Sequence, residues 1–594
     1  MKLNAKYYPV LALSLFIILL GLIYAAESNG QVMFDDELEI SMVSSFHSVQ
    51  EAFTVDCFGL FRPVKNLVFY FWQNTWPGNL QAWRLSAILA FLGVIPLAYQ
   101  FFAIFFQDKP WHRFFAAAIW ASAPAMTSVV SWISSTNIIL SGYGFFLYFI
   151  GYEKTQKMQV RQSLGGTYGW MTIALFGLGF ACLAYEAALM GPFLVLLRDF
   201  WCKPQRLGRG ANRVFYAISI GVLACYLVLR HQHGGANTID YALAIPSDSK
   251  LWLSLSSGWF YLVHAWRWIW PFGQQGISII FNPEEHKDMV LFSLSVVVSI
   301  GLLVLWLGNK RPKLATGLGF FGLALLPMAN VLPLRNGPIC DYYLFFPSLG
   351  LVLTILEFSK NLKSPKLRPI PLIIACIWLG AFVLTTRNWV PHWKTREALA
   401  QRTLEWQPDN YVMLAFLAEG SLLSGDMTAS RTYLDHALAT APEVRKYRYN
   451  IEYLDSLWLG KSGKYEESAK ALESIVAHHQ ESQILVPVLY QLQLAYLYDV
   501  YLNQTSRAEA CLTKALKAPW DGAFSKPAAL RLADIHSRNK KPEVAKEIYQ
   551  MLAQLYPADA EIQQKLNAVE DASPNSPLHS SNQALASNES EESD

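Results

Sequence analysis

Phe34-Asp35-Asp36-Glu37-Leu38-Glu39 places four carboxylates within five positions, shortly after an apolar run that ends at Ala25. Carboxylates this close raise one another's pKa unless a cation or a proton relieves them. Such a cluster can act as a general base that takes a proton from an attacking hydroxyl, or can hold a divalent cation (Mg or Mn) against a phosphate leaving group. By themselves the same residues also read as a solvated acidic patch beside a membrane, because perturbed carboxylates mark function only statistically. The seven cysteines include no CxxC and no neighbouring histidine pair, so neither a zinc site nor a disulfide framework is indicated. Cys57 and Cys340 are the two that fall in loops placed outside below, where an oxidising compartment could join them.

The elements that must position these acids are set by composition. The chain of 594 residues is 53% hydrophobic, 14% aromatic and only 16% charged, too apolar for an ordinary soluble surface. Long uncharged runs fill it from Met1 to about Arg387, and charges recur every few residues from Lys394 onward. Two physically different parts follow: a membrane domain over 1–392 and a soluble domain over 393–570. Each membrane crossing needs about 20 mostly apolar residues. That ruler gives about eleven spans, near Tyr8–Ala25, Trp83–Phe106, Phe114–Ile133, Ile138–Tyr152, Tyr168–Ala184, Ala187–Leu197, Val214–Arg230, Met289–Leu307, Leu314–Leu332, Leu344–Phe358 and Pro371–Thr386. Ala187–Leu197 is the shortest of them. Leu251–Phe272 is apolar but carries His264, Arg267 and several Trp, which suits a membrane surface better than its centre.

Lys and Arg accumulate on the cytoplasmic side. Lys2 and Lys6, Lys109 and Arg113, Lys154 to Arg161, Arg198 to Arg213, Lys310 to Lys313 and Lys360 to Arg368 all land on one side if the eleven spans hold. The alternate loops, Glu27 to Gln81 and His231 to Lys287 among them, then face outward with everything after Thr386. The first span also reads as a cleaved signal peptide, since Ala25 and Ala26 close an apolar run behind a basic start. The formal charge of +3, with no clustered basic face, argues against a nucleic-acid partner.

From about Gln407 to Glu570 the helical pattern is broken at regular intervals of about 34 to 40 residues, the signature of stacked helical hairpins. Ser424-Gly425-Asp426, Ser462-Gly463-Lys464, Leu502-Asn503-Gln504 and Arg538-Asn539-Lys540 read as the turns. Ala437, Ala469, Ala515 and Ala545 sit where close packing needs small side chains, and Pro408, Pro442 and Pro557 where repeats part. The fold class is therefore all-α, a polytopic transmembrane bundle followed by an α-solenoid that resembles about four tetratricopeptide repeats. The stretch Ser573 to Asp594 is polar and acidic, too poor in apolar residues to offset its ordering entropy, and is expected to be disordered.

The chain also resembles a known family. The matching stretches run in order: Phe34-Asp35-Asp36 after the first span, Phe61-Arg62-Pro63-Val64 in the same loop, Ala123-Pro124 through Leu140, and Tyr185-Glu186. Leu325-Leu326-Pro327, Asn330-Val331, Asp341 through Gly350, and Arg387-Asn388-Trp389 with Trp393 complete the series. Together they look like the GT-C superfamily of multi-spanning glycosyltransferases, most closely the protein O-mannosyltransferases that carry tetratricopeptide repeats after the membrane domain. The resemblance implies that Asp35 or Asp36 is the catalytic base, with Glu37 a lesser candidate. It suits Arg62 to the donor phosphate or to orienting the acids, makes Glu186 a second acid in the site, and assigns Arg335 and Asp341 to substrate binding. The chain departs from the pattern at Ala123, Ser128, Asn137 and Tyr342, where relatives carry charged or imidazole side chains, so fewer groups are left to hold a phosphate.

The implied reaction is transfer of mannose or another hexose from a polyprenyl-phosphate donor to a hydroxyl of a protein or glycan acceptor held by the repeats. It would take place on the outer face of the lipid bilayer, where a lipid carrier makes sense because nucleotide sugars are not supplied on that side. The aromatic stretch from Trp252 to Trp270 can guide the isoprenoid or simply anchor a helix. A different class of function, a non-catalytic membrane-anchored scaffold for envelope assembly, fits the same architecture. A transporter fits less well, for lack of paired, Gly- or Pro-interrupted spans in two matching halves. With sequons only at Asn503 and Asn588 and no retention signal, a bacterial inner membrane with periplasmic repeats is expected. The alternative is an endoplasmic reticulum membrane with the repeats in the lumen.

Overall fold

In a computed structural model the structure describes residues 7–44, 46, 48–55, 60–233, 250–270, 272, 283–329, 331, 339–359, 370–441, 445–481, 486–517, 524–557 and 559–571. Arg335, Cys57, Pro442 and the tail after Asp571 lie outside them. The described residues fold into helices with no strand among them. Two compact units divide the chain, Met1–Gly420 with Ala439–Tyr447, and Ser421–Leu438 with Arg448–Asp594.

Among the described residues each of the eleven apolar segments is mostly helical, and seven helices are long and apolar enough to cross a membrane: Tyr8–Ala25, Leu80–Ala103, Ile133–Val160, Leu164–Ala184, Gly210–His233, Lys287–Lys310 and Ile373–Lys394. The other four segments form shorter helices, and proline is the reason at each. Pro124 cannot donate to a helix and drives Ala123 into an extended conformation, with ψ 131°. The segment therefore splits into Pro110–Ser122 and Met126–Ser131. Pro192 opens Gly191–Cys202, Pro312 and Pro327 bracket the helix Pro312–Leu325, and Pro347 opens Pro347–Ser359.

The first span shows how the bundle is built. Its residues are almost all apolar, but only the stripe Pro9, Leu13, Phe16, Leu20 and Tyr24 is buried, while Leu15, Ile18 and Leu22 remain exposed. That spacing is one face of a helix, and it packs on Leu80–Ala103 and Pro110–Ser122 through the pairs Tyr24–Phe91 and Phe16–Phe114. The exposed remainder is what lipid would cover. Ile133–Val160 is the most deeply buried span, and it meets Leu164–Ala184 backbone to backbone. A β-carbon on Gly144 would lie 2.3 Å from the Gly177 carbonyl oxygen, so small residues are required at that crossing.

The first unit continues past the last span through Arg396–Leu404 and most of Tyr411–Ser424, because Leu399 and Ala400 are buried and Trp393 packs into the membrane unit's core.

In the second unit the four expected turns are present. Gly425 (φ 86°), Gly463 (φ 81°), Asn503 (φ 54°) and Lys540 (φ 56°) each take the left-handed conformation that ends one helix and starts the next. Ala437, Ala469, Ala515 and Ala545 are all buried at the helix contacts. Hairpins Arg445–Lys461/Tyr465–Glu481 and Ser525–Arg538/Pro542–Leu555 flank the helix Val488–Tyr496, which passes through a π turn, Leu497–Tyr501, before Thr505–Ala515. The whole is a solenoid of helical hairpins.

Candidate active site

The acid loop is tied down along its length. Gly30 lies against Lys394, where a β-carbon would come within 2.9 Å of the carbonyl oxygen, and the Gln31 N–H donates to that oxygen at 2.8 Å. Arg84, buried on Leu80–Ala103, donates to the carbonyls of Gln31 and Ser131. Arg396 donates from Nε to the Val32 carbonyl at 3.2 Å. Phe34 then adopts φ 46°, a strained value for a bulky residue. Its ring is clamped by Trp132 at 4.9 Å, Phe416 at 5.4 Å and Trp393 at 6.2 Å.

This turn separates the two aspartates chemically. Asp36 is fully buried and accepts three hydrogen bonds, from the Met33 N–H (3.0 Å), the Ser134 N–H (2.8 Å) and the Ser134 hydroxyl (2.7 Å). Ser134 lies in the short turn Ile133–Ser135, just past Trp132, whose extended backbone ends the helix Met126–Ser131. Burial pushes the Asp36 carboxyl up to about 6 even though the serine and the two backbone donors oppose it. Asp35 differs in that its buried Oδ1 has no hydrogen-bond partner. Burial first, then the charges of Glu39 and Asp36, push it up to about 7, with Lys65 opposing. A buried carboxyl with one oxygen free to accept and a pKa near neutrality has the properties of a general base.

Of the other acids, Glu37 is turned outward, its side chain 72% exposed and 3.4 Å from Arg396. Glu39 forms a buried ion pair with Lys65 on the helix Pro63–Thr75. Arg62, one residue before that helix, makes a two-pronged pair with Glu186, at 2.8 Å and 3.1 Å, and lies over the Tyr185 ring. Burial works against the Glu186 carboxylate, but Arg62 outweighs it and holds the carboxyl down at about 2. Asp341 pairs with Arg267 at 2.6 Å.

The residues singled out from the sequence are thus brought together in part. Asp35, Asp36 and Glu37 share one loop, Arg62 joins Glu186, Asp341 joins an arginine not anticipated, and Arg335 lies outside the described residues. The buried His264 and Arg267 sit within the helix Ser257–Ile269 rather than on its exposed face, which carries Trp266 and Ile269. Lys65, Glu27, Arg84, Ser134 and Arg396 were missed. A lysine inside Val64-Lys65-Asn66-Leu67-Val68-Phe69 was the one available signal, since a lone charge in an apolar helix needs a partner. Among the described residues no three His, Cys, Asp or Glu side chains gather as a metal-ligand set. Within the cluster Asp36 is engaged by Ser134 and Met33, Glu39 by Lys65, and Glu37 faces outward.

No family model matches the chain, and no solved structure matches it. Among curated proteins it is similar to the human protein O-mannosyl-transferase TMTC4, 24% identical over 361 residues. The alignment covers 54% of this chain and 48% of the relative, so the chain spans about half the length of the curated protein it matches. The similarity is distant, and it is to a protein named for sugar transfer.

Proposed function

We propose that the chain is a membrane glycosyltransferase of the GT-C kind, which moves mannose or another hexose from a polyprenyl-phosphate carrier to a hydroxyl of a protein or glycan acceptor on the outer side of the membrane. The observation that carries the reading is Asp35: buried just past the first span, one oxygen without a partner, and titrating near neutrality. The similarity to an O-mannosyl-transferase supports the reaction class.

In this mechanism the Asp35 carboxylate takes the proton of the acceptor hydroxyl as that oxygen attacks the anomeric carbon. The bond from that carbon to the phosphate oxygen breaks, and the lipid phosphate leaves with the electron pair. Asp36 acts through position, its three hydrogen bonds fixing the loop. Lys65 opposes the protonation of Asp35. The Arg62 fork, balanced by Glu186 while the site is empty, is the cation a donor phosphate would compete for. Arg267 is balanced in the same way by Asp341. The hairpins, read as tetratricopeptide repeats, hold the acceptor, the N-terminus is cytoplasmic, and the membrane is a bacterial inner membrane or that of the endoplasmic reticulum.

The test is transfer of hexose from a polyprenyl-phosphate hexose to envelope protein by membranes carrying the chain, read by mass spectrometry. Asp35→Asn should lower the rate by about 10²- to 10⁴-fold, the usual worth of a general base, with protein level and partner binding unchanged. Undiminished transfer by Asp35→Asn would remove Asp35 as the base. If no hexose is transferred by the unmodified chain while envelope partners still bind, the scaffold takes its place.

A further inference from the structure

The helix Gly210–His233 packs on Leu164–Ala184, and its last turns come beside the Arg62–Glu186 pair. His233 fixes its end there, stacking at 5.5 Å on Phe61, the residue before Arg62. Tyr226 and Arg230 lie on one face of this helix, a turn apart. Tyr226 is 3% exposed, yet its hydroxyl has no hydrogen-bond partner. That hydroxyl is within electrostatic reach of Glu186, Arg230 and Arg62. Arg230 is half-buried and, among the described residues, makes no ion pair or hydrogen bond.

Arg62, by contrast, is already taken. Its two-pronged pair with Glu186 is buried, and parting such a pair leaves a charge uncompensated. Burial opposes the Glu186 carboxylate, Arg62 outweighs burial, and Arg230 adds its charge to that of Arg62 without pairing with the carboxylate. Arg230 and the Tyr226 hydroxyl are therefore the donors beside Glu186 that an incoming anion can engage without displacing anything. A buried donor left without an acceptor is unfavourable, and a guanidinium with a neighbouring hydroxyl suits the several oxygens of a phosphate. Between the two residues, Leu227, Val228 and Leu229 are 52%, 55% and 39% exposed, an apolar surface of the kind lipid covers. The anion that fits both surfaces is a phosphate carrying an apolar chain.

We infer that Arg230 and the Tyr226 hydroxyl bind the phosphate of the lipid carrier, and that they hold it while Arg62 stays paired with Glu186. The phosphate gains negative charge as its bond to the anomeric carbon breaks, and Arg230 is the cation beside Glu186 that no carboxylate already neutralises, so it meets that charge. The identity of the lipid rests on the reading of the chain as a transferase with a polyprenyl-phosphate donor. Binding is measured without sugar transfer, so a carrier that binds but is not used, and transfer that does not need Arg230, are separate results.

The experiment uses the full chain in phosphatidylcholine nanodiscs, with a fluorescent polyprenyl phosphate as the probe. Arg230→Ala should weaken binding about ten-fold and Tyr226→Phe about five-fold. Arg230→Lys should recover part of the loss, because it keeps the charge but not the fork. Neither residue has a partner to lose, so Arg230→Ala and Tyr226→Phe should keep the thermal midpoint of the unmodified protein. Unlabelled polyprenyl phosphate should compete for the site, whereas polyprenol, inorganic phosphate and phosphatidylglycerol at the same concentration should not. Unchanged binding in Arg230→Ala would overturn the assignment, and a lowered midpoint in Tyr226→Phe would overturn the hydroxyl's part in it. Competition by phosphatidylglycerol as strong as that by polyprenyl phosphate would overturn it in favour of a contact with bulk headgroups. Equal competition by inorganic phosphate would overturn the lipid part.

Discussion

Asp35 can accept a proton only as a carboxylate, so a reaction that depends on it should rise with pH through about 7 and level off above. The neighbours make that limb movable. Glu39 raises the Asp35 pKa and Lys65 lowers it. Glu39→Gln removes the first influence and frees the second, and should shift the acid limb of kcat/KM to lower pH by about one unit; a limb that stays in place would mean another group titrates. The same burial sets a stability cost. Asp35 has its folded pKa raised from 3.8 to about 7, so its contribution is most favourable below 3.8 and is lost as pH rises through 7. Asp35→Asn, which cannot ionise, should therefore unfold at a higher temperature than the unmodified chain at pH 8 and at a similar one below pH 3.8. Thermal scans at the two pH values check this, and a lower midpoint at pH 8 would show the charged form to be satisfied after all. Reading the acids from the sequence singled out this loop but not the difference between its two aspartates. Asp35 and Asp36 are adjacent and chemically identical until Phe34 turns one toward Ser134, 98 positions away, and no local pattern encodes that distance.

At the scale of elements, the crossing of Ile133–Val160 with Leu164–Ala184 holds the turn that supplies Ser134. Gly144→Leu places a side chain where a β-carbon is already 2.3 Å from the Gly177 carbonyl oxygen. It should destabilise the bundle by about 1–3 kcal/mol or more, seen as a lowered thermal midpoint in detergent, with sugar transfer lost in proportion to folded protein. An unchanged midpoint would mean that the two helices part without penalty. Helix identity was legible here, since uncharged runs of this length admit little else, and so were the hairpin turns, because Gly425 and Gly463 mark left-handed positions on their own. Span length was less so. Pro124, Pro192, Pro312 and Pro347 sit within or beside apolar runs that satisfy a hydropathy ruler, and the ruler does not register a missing N–H. Four of the eleven expected spans form shorter helices beside these prolines.

At the scale of the molecule, the charge bias of the loops predicts that Glu37 faces out and Lys157 faces in. Single cysteines at those positions should react oppositely with a membrane-impermeant maleimide applied from outside, Glu37→Cys readily and Lys157→Cys only after permeabilisation. Labelling of Lys157→Cys from outside would invert the topology and remove the proposed donor side. The division into an apolar part and a hairpin part was determined by composition, because a bilayer and water select opposite surfaces and the switch near Lys394 is abrupt. The helical class, the left-handed turns and the acid-bearing loop were likewise determined by local chemistry. Only the tertiary structure decided which carboxylate lacks a partner, that Arg62 belongs to Glu186 and Arg267 to Asp341, and that the Tyr226 hydroxyl near the first of these pairs is left without a partner. Those outcomes depend on burial and on partners far apart in the chain, and the free energy of a buried charge is set by what surrounds it in space.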